Sequence, residues 1–527
     1  MGDRFVLAGA SLIDGTGARA RVADVYVEGE RIERVEPPSD RHPADWRVER
    51  GDGLVLSPGF IDVHSHADNQ AFVAEDDTSK ILQGVTTEVV GNCGISLAPR
   101  RAEPDPVLDA WHGLWFTAPA WPGRSFGDYW RAAAASGLVT NAAPLVGHGA
   151  LRIAVMGLHA RPATAAEMGA LRDALARSLD DGAFGLSSGL IYPPGVFTPP
   201  AELAELATGL GDRVYASHIR GEGAALLDAV AEAIDVGRRA GVRVEISHHK
   251  STGRENRGRT AQSLALVDAA RADGVDVRLD VYPYTASSTT LAACLPPWMH
   301  EGGRAALADR LEDEALRARA RRDLEEGSPG FDSHLRAAGP EGIVVASTAD
   351  HRFEGESLAQ VAARLGVDPI EALFHVLRAE RAVATMIAFV MDEDDVRRVL
   401  AHPWATVGSD GLFPGTGGRP HPRMYGTFPR VLGRYVRDEG VLPLEGAVAK
   451  MTGRAADAFR IPDRGTVAPG KVADLVLWQA GRIADGATYE DPFAPPTGIE
   501  AVYLAGRRVV DGGAYMGGRH GAVLRPA

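Results

Sequence analysis

Eight short apolar runs constrain what this chain can fold into more than any other feature. They are GFIDVHSH (59–66), TTEVVGNC (86–93), TNAAPLVGH (140–148), GAFGLSSG (182–189), RVYASH (213–218), VRVEISHH (242–249), VRLDVYPY (277–284) and ATVGSD (405–410), and several end in a polar residue. Helix-like stretches such as 165–179 and 224–240 lie between many of them, so strand and helix alternate as in a parallel barrel. Eight is the strand number of a (β/α)8 barrel. Two further runs, GIVVAS and TMIAFVM, also read as strands, and either could displace one of the eight.

A length of 527 residues would suggest about three domains at roughly 150 residues each, but barrels run long as one unit. Both ends of the chain read as short strands broken by Gly, Pro and Asp, which suggests one small β unit built from 1–57 and 463–527. The barrel then occupies 58–462, and the Ala-, Arg- and Glu-rich segment 290–342 reads as an inserted helical subdomain.

Charge narrows the partners. A net charge of −14 and the lack of a basic run argue against nucleic acid and for a small substrate. Two cysteines, Cys93 and Cys294, argue against a disulfide scaffold and for a reducing compartment. The N-terminus does not read as a signal peptide, and the longest uncharged apolar run, AVATMIAFVM, is about half of a bilayer span. A cytoplasmic protein without a membrane partner is the expectation; the oligomeric state is left open.

In such a barrel the C-terminal strand ends form one rim on which loops build the active site. Here that rim carries His64, His66, Cys93, His148, His218, His248, His249 and Asp410. Taken singly, each has an ordinary explanation: a packed histidine, a small residue in a tight turn, an aspartate capping a helix. Together, imidazole, thiolate and carboxylate suit zinc, with enough donors for one metal or two.

PGFIDVHSHAD resembles the first-strand motif of the amidohydrolase superfamily. GVTTEVVGNCGIS, SHIRGE, SHHK, GSDG and HPRMYGTFPRVLG resemble its N-acyl-D-amino-acid deacylase branch, and GTVAPGKVADLVLW is similar to the superfamily's closing β unit. The resemblance covers nearly the whole chain. It implies a distorted (β/α)8 TIM barrel with a small β-sandwich from both chain ends, and zinc-dependent hydrolysis of N-acyl-D-amino acids to a carboxylate and a free D-amino acid.

The resemblance further implies that Cys93, His218 and His248 hold one tight zinc. His64, His66 and Asp410 then mark a second, weaker metal position, and Asp410 acts as general base and later as acid. Many superfamily members bridge two metals with a carboxylated lysine at the end of the fourth strand; GLSSGL has no lysine there, in keeping with Cys93 in that role.

Lys250 directly follows a ligand strand and could hold the substrate's carboxylate or polarise a carbonyl. Arg423 matches the branch's carboxylate-binding arginine, and Tyr192, Tyr282 and Ser287 would complete the pocket by hydrogen bonding. One departure concerns substrate preference: the loop SDGLFPGTGGRPHPR lacks the His-Asp pair often found after the catalytic Asp and is about two residues longer. Arg419 and His421 in this loop either face the acyl pocket or lie exposed.

Other residues are expected to play structural parts. His249 reads as a packed neighbour of His248, Cys294 as an inert buried thiol, and His112, His159, His300, His334, His375 and His402 as structural; His148 is a weaker candidate for lining the pocket. Rival readings are a hydantoinase-like, dihydroorotase-like or isoaspartyl-dipeptidase-like hydrolase, or a non-catalytic scaffold. The cysteine and the missing lysine speak against the former, the intact donor set against the latter. The acyl group and side chain accepted, and the occupancy of the second metal position, are not legible.

Overall fold

The computed structural model describes residues 4–101, 105–116, 123–328, 331–412 and 418–527. Its centre is eight parallel strands: β1 (Phe60–Asp62), β2 (Val85–Val90), β3 (Asn141–Pro144, resumed at Val146–Gly147), β4 (Gly185–Gly189), β5 (Val214–His218), β6 (Arg243–Ile246), β7 (Val277–Val281) and β8 (Ala405–Val407). Seven fall within one of the eight sequence runs, and β2 begins one residue before its own. Parallel pairing runs in chain order from β1 to β8. Strands β2, β4 and β5 are buried along their whole length, as expected where helices cover a parallel sheet from outside.

Local signals set the helices between them. Ala165–Asp180 opens on a capping box in which Thr164 and Glu167 satisfy each other's backbone N–H groups. Leu226–Ala240, between β5 and β6, ends at left-handed Gly241, which is the usual stop for a helix at this position.

The circle closes differently from the rest. Among the described residues β8 and β1 share no ladder. A two-residue parallel pairing of Gly411–Leu412 with Ser65–His66 joins them instead, with the Asp410 N–H donating to the His64 carbonyl at 2.7 Å. This seam carries His64, His66 and Asp410.

The two extra strand-like runs are not barrel strands. Ile343–Ser347 and Thr385–Ala388 pair antiparallel, and the latter also pairs with Ser287–Thr290, forming a three-stranded sheet between β7 and β8. The helices that follow residue 290 bury their apolar faces on this sheet, with a core of their own running from Leu291 to Val390. The excursion of which 290–342 is the helical first part therefore continues through two more helices, Leu358–Leu365 and Pro369–Ala379.

The chain ends meet in one nine-stranded sheet, joined where Val55–Pro58 pairs antiparallel with Leu475–Trp478. Phe5 stacks on Tyr503 at 5.3 Å, and residues from both ends share one core, so neither end buries its apolar face alone. Among the described residues, no helix is long and apolar enough to cross a membrane.

Candidate metal centre and active site

The strand ends bring the rim side chains together in a buried cluster. Single donor atoms of His64, Cys93, His248 and Asp410 all lie within 4.8 Å of one another, and the same holds for His218, Glu222 and His248. Cys93 Sγ is 3.3 Å from His64 Nε2 and 3.5 Å from His248 Nε2. His248 Nε2 lies 2.8 Å from His218 Nδ1. Asp410 Oδ1 lies 3.3 Å from His66 Nε2 and 3.6 Å from His64 Nε2.

Backbone geometry at these positions is unusual. Cys93, His248 and Asp410 have φ of 54°, 37° and 50°, a left-handed conformation uncommon for residues with a Cβ and concentrated at functional sites. Gly94 completes the turn after β2. Its φ is +75°, and a Cβ there would stand 2.8 Å from the Gly189 nitrogen, so the GNCG turn can approach β4 only with glycine.

The cluster calls for positive charge. Burial pushes the Cys93 thiol up, but His64 and His248 beside it, with hydrogen bonds from His218 and His248, more than offset that and hold it well below its ordinary range. Burial likewise opposes ionisation of Asp410, yet Arg423 and then His248 hold its carboxyl well below the usual range. Burial lowers His66, while hydrogen bonds to Asp410 and Cys93 raise it to about 9.

A divalent cation fits this set. The His218 and His248 nitrogens lie 2.8 Å apart, and the Cys93 sulfur is 3.5 Å from the latter, so three donors share one region. Sulfur, nitrogen and oxygen donors in one buried group are those zinc accepts.

Carboxylates behind the histidines orient them. Asp280 on β7 faces His64 Nδ1 at 3.3 Å and accepts the His248 backbone N–H at 2.8 Å. Glu222 Oε1 lies 3.1 Å from His248 Nδ1 and accepts from Lys250 Nζ at 2.6 Å. Such partners fix a ligating imidazole's tautomer and orientation. Sequence reasoning passed over both residues; the available signal was an acidic residue near a strand end, four positions from a histidine in the case of Glu222.

The cavity at the cluster holds about 30 Å³ and is bordered by Lys250, Tyr192, Tyr282 and Ser287 as well as by the donors other than His64. Among the described residues the Ser287 hydroxyl has no partner, whereas the Tyr192 hydroxyl is 2.9 Å from Thr289 Oγ1. Arg423 starts the helix Arg423–Arg430; its Nη1 is 2.8 Å from Asp410 Oδ2, and its guanidinium stands 4.7 Å from the Tyr282 ring centre.

Several other histidines go elsewhere. His249 turns away to Ser263 Oγ at 2.8 Å, and His148 is buried in a helix start and does not border the cavity. His421 is buried, with Nε2 donating to the Ala286 carbonyl at 3.0 Å, while Arg419 is exposed. Residues 413–417 of their loop lie outside the described residues. His334, expected to be structural, instead borders the cavity, because the inserted lobe folds over the rim.

Two larger chambers adjoin. One, of about 340 Å³, is walled by Trp111, Leu114, Leu295, Leu307 and Phe331; the other, of about 380 Å³, contains Arg423, His421, Ser347 and Thr348. Trp115 borders both chambers and the cavity.

Comparison with known proteins agrees with this geometry. The amidohydrolase family model matches residues 52–510. D-aminoacylase of Alcaligenes xylosoxydans xylosoxydans is 40% identical over 523 residues, covering 99% of this chain and 97% of that protein. N-acyl-D-aspartate deacylase of the same organism is 39% identical over 527 residues, covering 99% and 95%. The crystal structure of N-acyl-D-glutamate deacylase from Bordetella bronchiseptica, complexed with zinc and a phosphonate mimic of the tetrahedral intermediate, superposes with a TM-score of 0.83 at 37% identity, covering 99% of each chain.

Proposed function

Because the chain belongs to the amidohydrolase family, we propose that its buried cluster holds zinc and serves to hydrolyse the amide bond of N-acyl-D-amino acids. The protein is a metal-dependent hydrolase that releases a carboxylate and a free D-amino acid. One observation carries the reading: Cys93, His218 and His248 converge at the strand ends while β4 ends in Ser188 and Gly189 without a lysine. Cys93, His218 and His248 would hold a tight zinc, and His64, His66 and Asp410 a second, weaker ion.

Bound zinc supplies a Lewis acid that polarises a carbonyl and makes water nucleophilic near neutral pH. The protein's own groups do the rest. Asp410, ionised at neutral pH, takes the proton of the attacking water and delivers it to the departing amine nitrogen. Arg423 and Lys250 supply fixed cations for the substrate's α-carboxylate, Arg423 with a planar fork suited to two parallel hydrogen bonds. Tyr192, Tyr282 and Ser287 orient the amide, the Ser287 hydroxyl having no other partner among the described residues.

The indole and aliphatic walls of the 340 Å³ chamber favour a substrate with a large apolar group, whose burial there removes apolar surface from water. A second reading rests on Arg304 in the same wall, a cation that would favour an acidic side chain. The test is a panel of N-acetyl derivatives of D-leucine, D-methionine, D-phenylalanine, D-aspartate and D-glutamate, their L-enantiomers and cyclic ureides, with zinc measured on the same sample. Turnover of apolar D-derivatives is expected. Faster turnover of acidic ones, abolished by Arg304→Met, favours the second reading, and exclusive ring opening rejects both.

A further inference from the structure

Among the described residues β8 and β1 share no ladder and the seam has only its two-residue pairing, yet it must hold Asp410 and the His64-Ser65-His66 segment within bonding distance. A buried ionic network stands in place of the missing strand bonds. The Asp62 carboxylate bridges the seam: Oδ1 accepts the backbone N–H of His64 at 3.1 Å and of Ser409 at 2.8 Å, and Oδ2 accepts the Ser409 hydroxyl at 2.5 Å. On the other side, the Glu88 carboxylate accepts the Ser65 hydroxyl at 2.5 Å and the Thr140 hydroxyl at 2.6 Å.

Lys80 joins the two halves. Its side chain is 1% exposed, and Nζ lies 3.4 Å from Asp62, 3.3 Å from Glu88 and 3.3 Å from Ser65 Oγ. It also explains the glycine after Asp410: a Cβ on Gly411 would stand 3.0 Å from Lys80 Nζ and 3.0 Å from Ser409 Oγ. Ser409, Asp410 and Gly411 are thus matched in turn to Asp62, the cavity and Lys80. A fully buried lysine that touches neither cavity nor solvent is costly to keep unless its charge organises something.

We propose that Lys80 is a positioning residue for catalysis, acting through Asp62 and Ser409 to hold the Asp410 carboxylate in its left-handed turn against His64 and His66. The inference rests on the reading of Asp410 as the general base. It does not give Lys80 a contact with substrate or metal. Lysine fits where arginine does not, because a compact ammonium can face two carboxylates and a hydroxyl in the space that Gly411 leaves open.

The test combines Lys80→Met with Asp410→Asn. Lys80→Met is expected to lower kcat by about 10- to 100-fold while KM stays within about threefold and one zinc per chain is retained on metal analysis. Added to Asp410→Asn, it should lower kcat by less than about twofold further, because its effect passes through the same carboxylate. Multiplication of the two effects, or a wild-type kcat in Lys80→Met, overturns the proposal. If Asp410→Asn itself keeps its turnover, the general-base reading fails instead. Should Lys80→Met not fold, Ser409→Ala removes the hydroxyl bond to Asp62 from the other side while the backbone bond stays; the same non-additivity with Asp410→Asn is expected, and full additivity rejects the proposal.

Discussion

The two sides of the rim hold their proposed metal donors by different means. His218 and His248 end or follow β5 and β6, which sit inside an unbroken run of parallel pairing, so their positions are set by backbone hydrogen bonds. His64, His66 and Asp410 sit at the seam, where a two-residue pairing and a network of buried side chains do the same task. Backbone ladders leave little play, whereas side-chain networks depend on every member being present. The proposed tight metal on the ladder side and weaker one at the seam are in keeping with that contrast.

Experiments can break the contrast in order of effect. Cys93→Ala removes the donor shared by both sides, so zinc should be lost and turnover should fall by about 10³-fold or more, read by metal analysis and initial rates. Asp410→Asn strikes only the seam: zinc should remain while kcat falls by about 10²- to 10⁴-fold, and substantial remaining activity would remove Asp410 from its role. Glu222→Gln strikes only the ladder side, through His248, and should weaken zinc by about 10- to 100-fold in a chelator competition. Unchanged affinity would show that Glu222 serves Lys250 alone.

Arg423→Lys should act on the substrate rather than the metal, raising KM by about tenfold with zinc unchanged. The smallest effect belongs to a group off both sides. Burial is the main force holding His112 at about 3, so it stays neutral in the fold. A folded pKa below the unfolded value of about 6.5 means its contribution is complete above pH 6.5 and is lost as pH falls toward 3. His112→Gln should flatten the acid limb of thermal stability by on the order of 1 kcal/mol per pH unit, and an unchanged limb would refute this.

The same contrast explains what was legible in the sequence. All eight barrel strands were, because burial on both faces writes a β-rich run that ends at the rim. GIVVAS and TMIAFVM looked alike because a strand's composition records its burial and not which sheet it joins; only their antiparallel pairing separates them. The proposed donors read in the sequence as histidines, a cysteine and an aspartate at strand ends, and the fold brings them together. Glu222, Asp280 and Lys80 were not legible, because an acid or a lysine in a loop or strand carries no local mark of the partner it meets 28, 216 or 18 residues away, at Lys250, His64 or Asp62. His334 was hidden for the same reason: the lobe that brings it to the cavity folds back from far along the chain.

The central claim is that the essential zinc rests on the ladder side. Zinc content of purified His64→Ala tests it most directly, since His64 touches both Cys93 and Asp410 yet belongs to the seam. The account predicts one tightly held zinc per chain, as in the wild type after dialysis against a weak chelator. Loss of all zinc from His64→Ala would contradict it and move the tight metal to the seam.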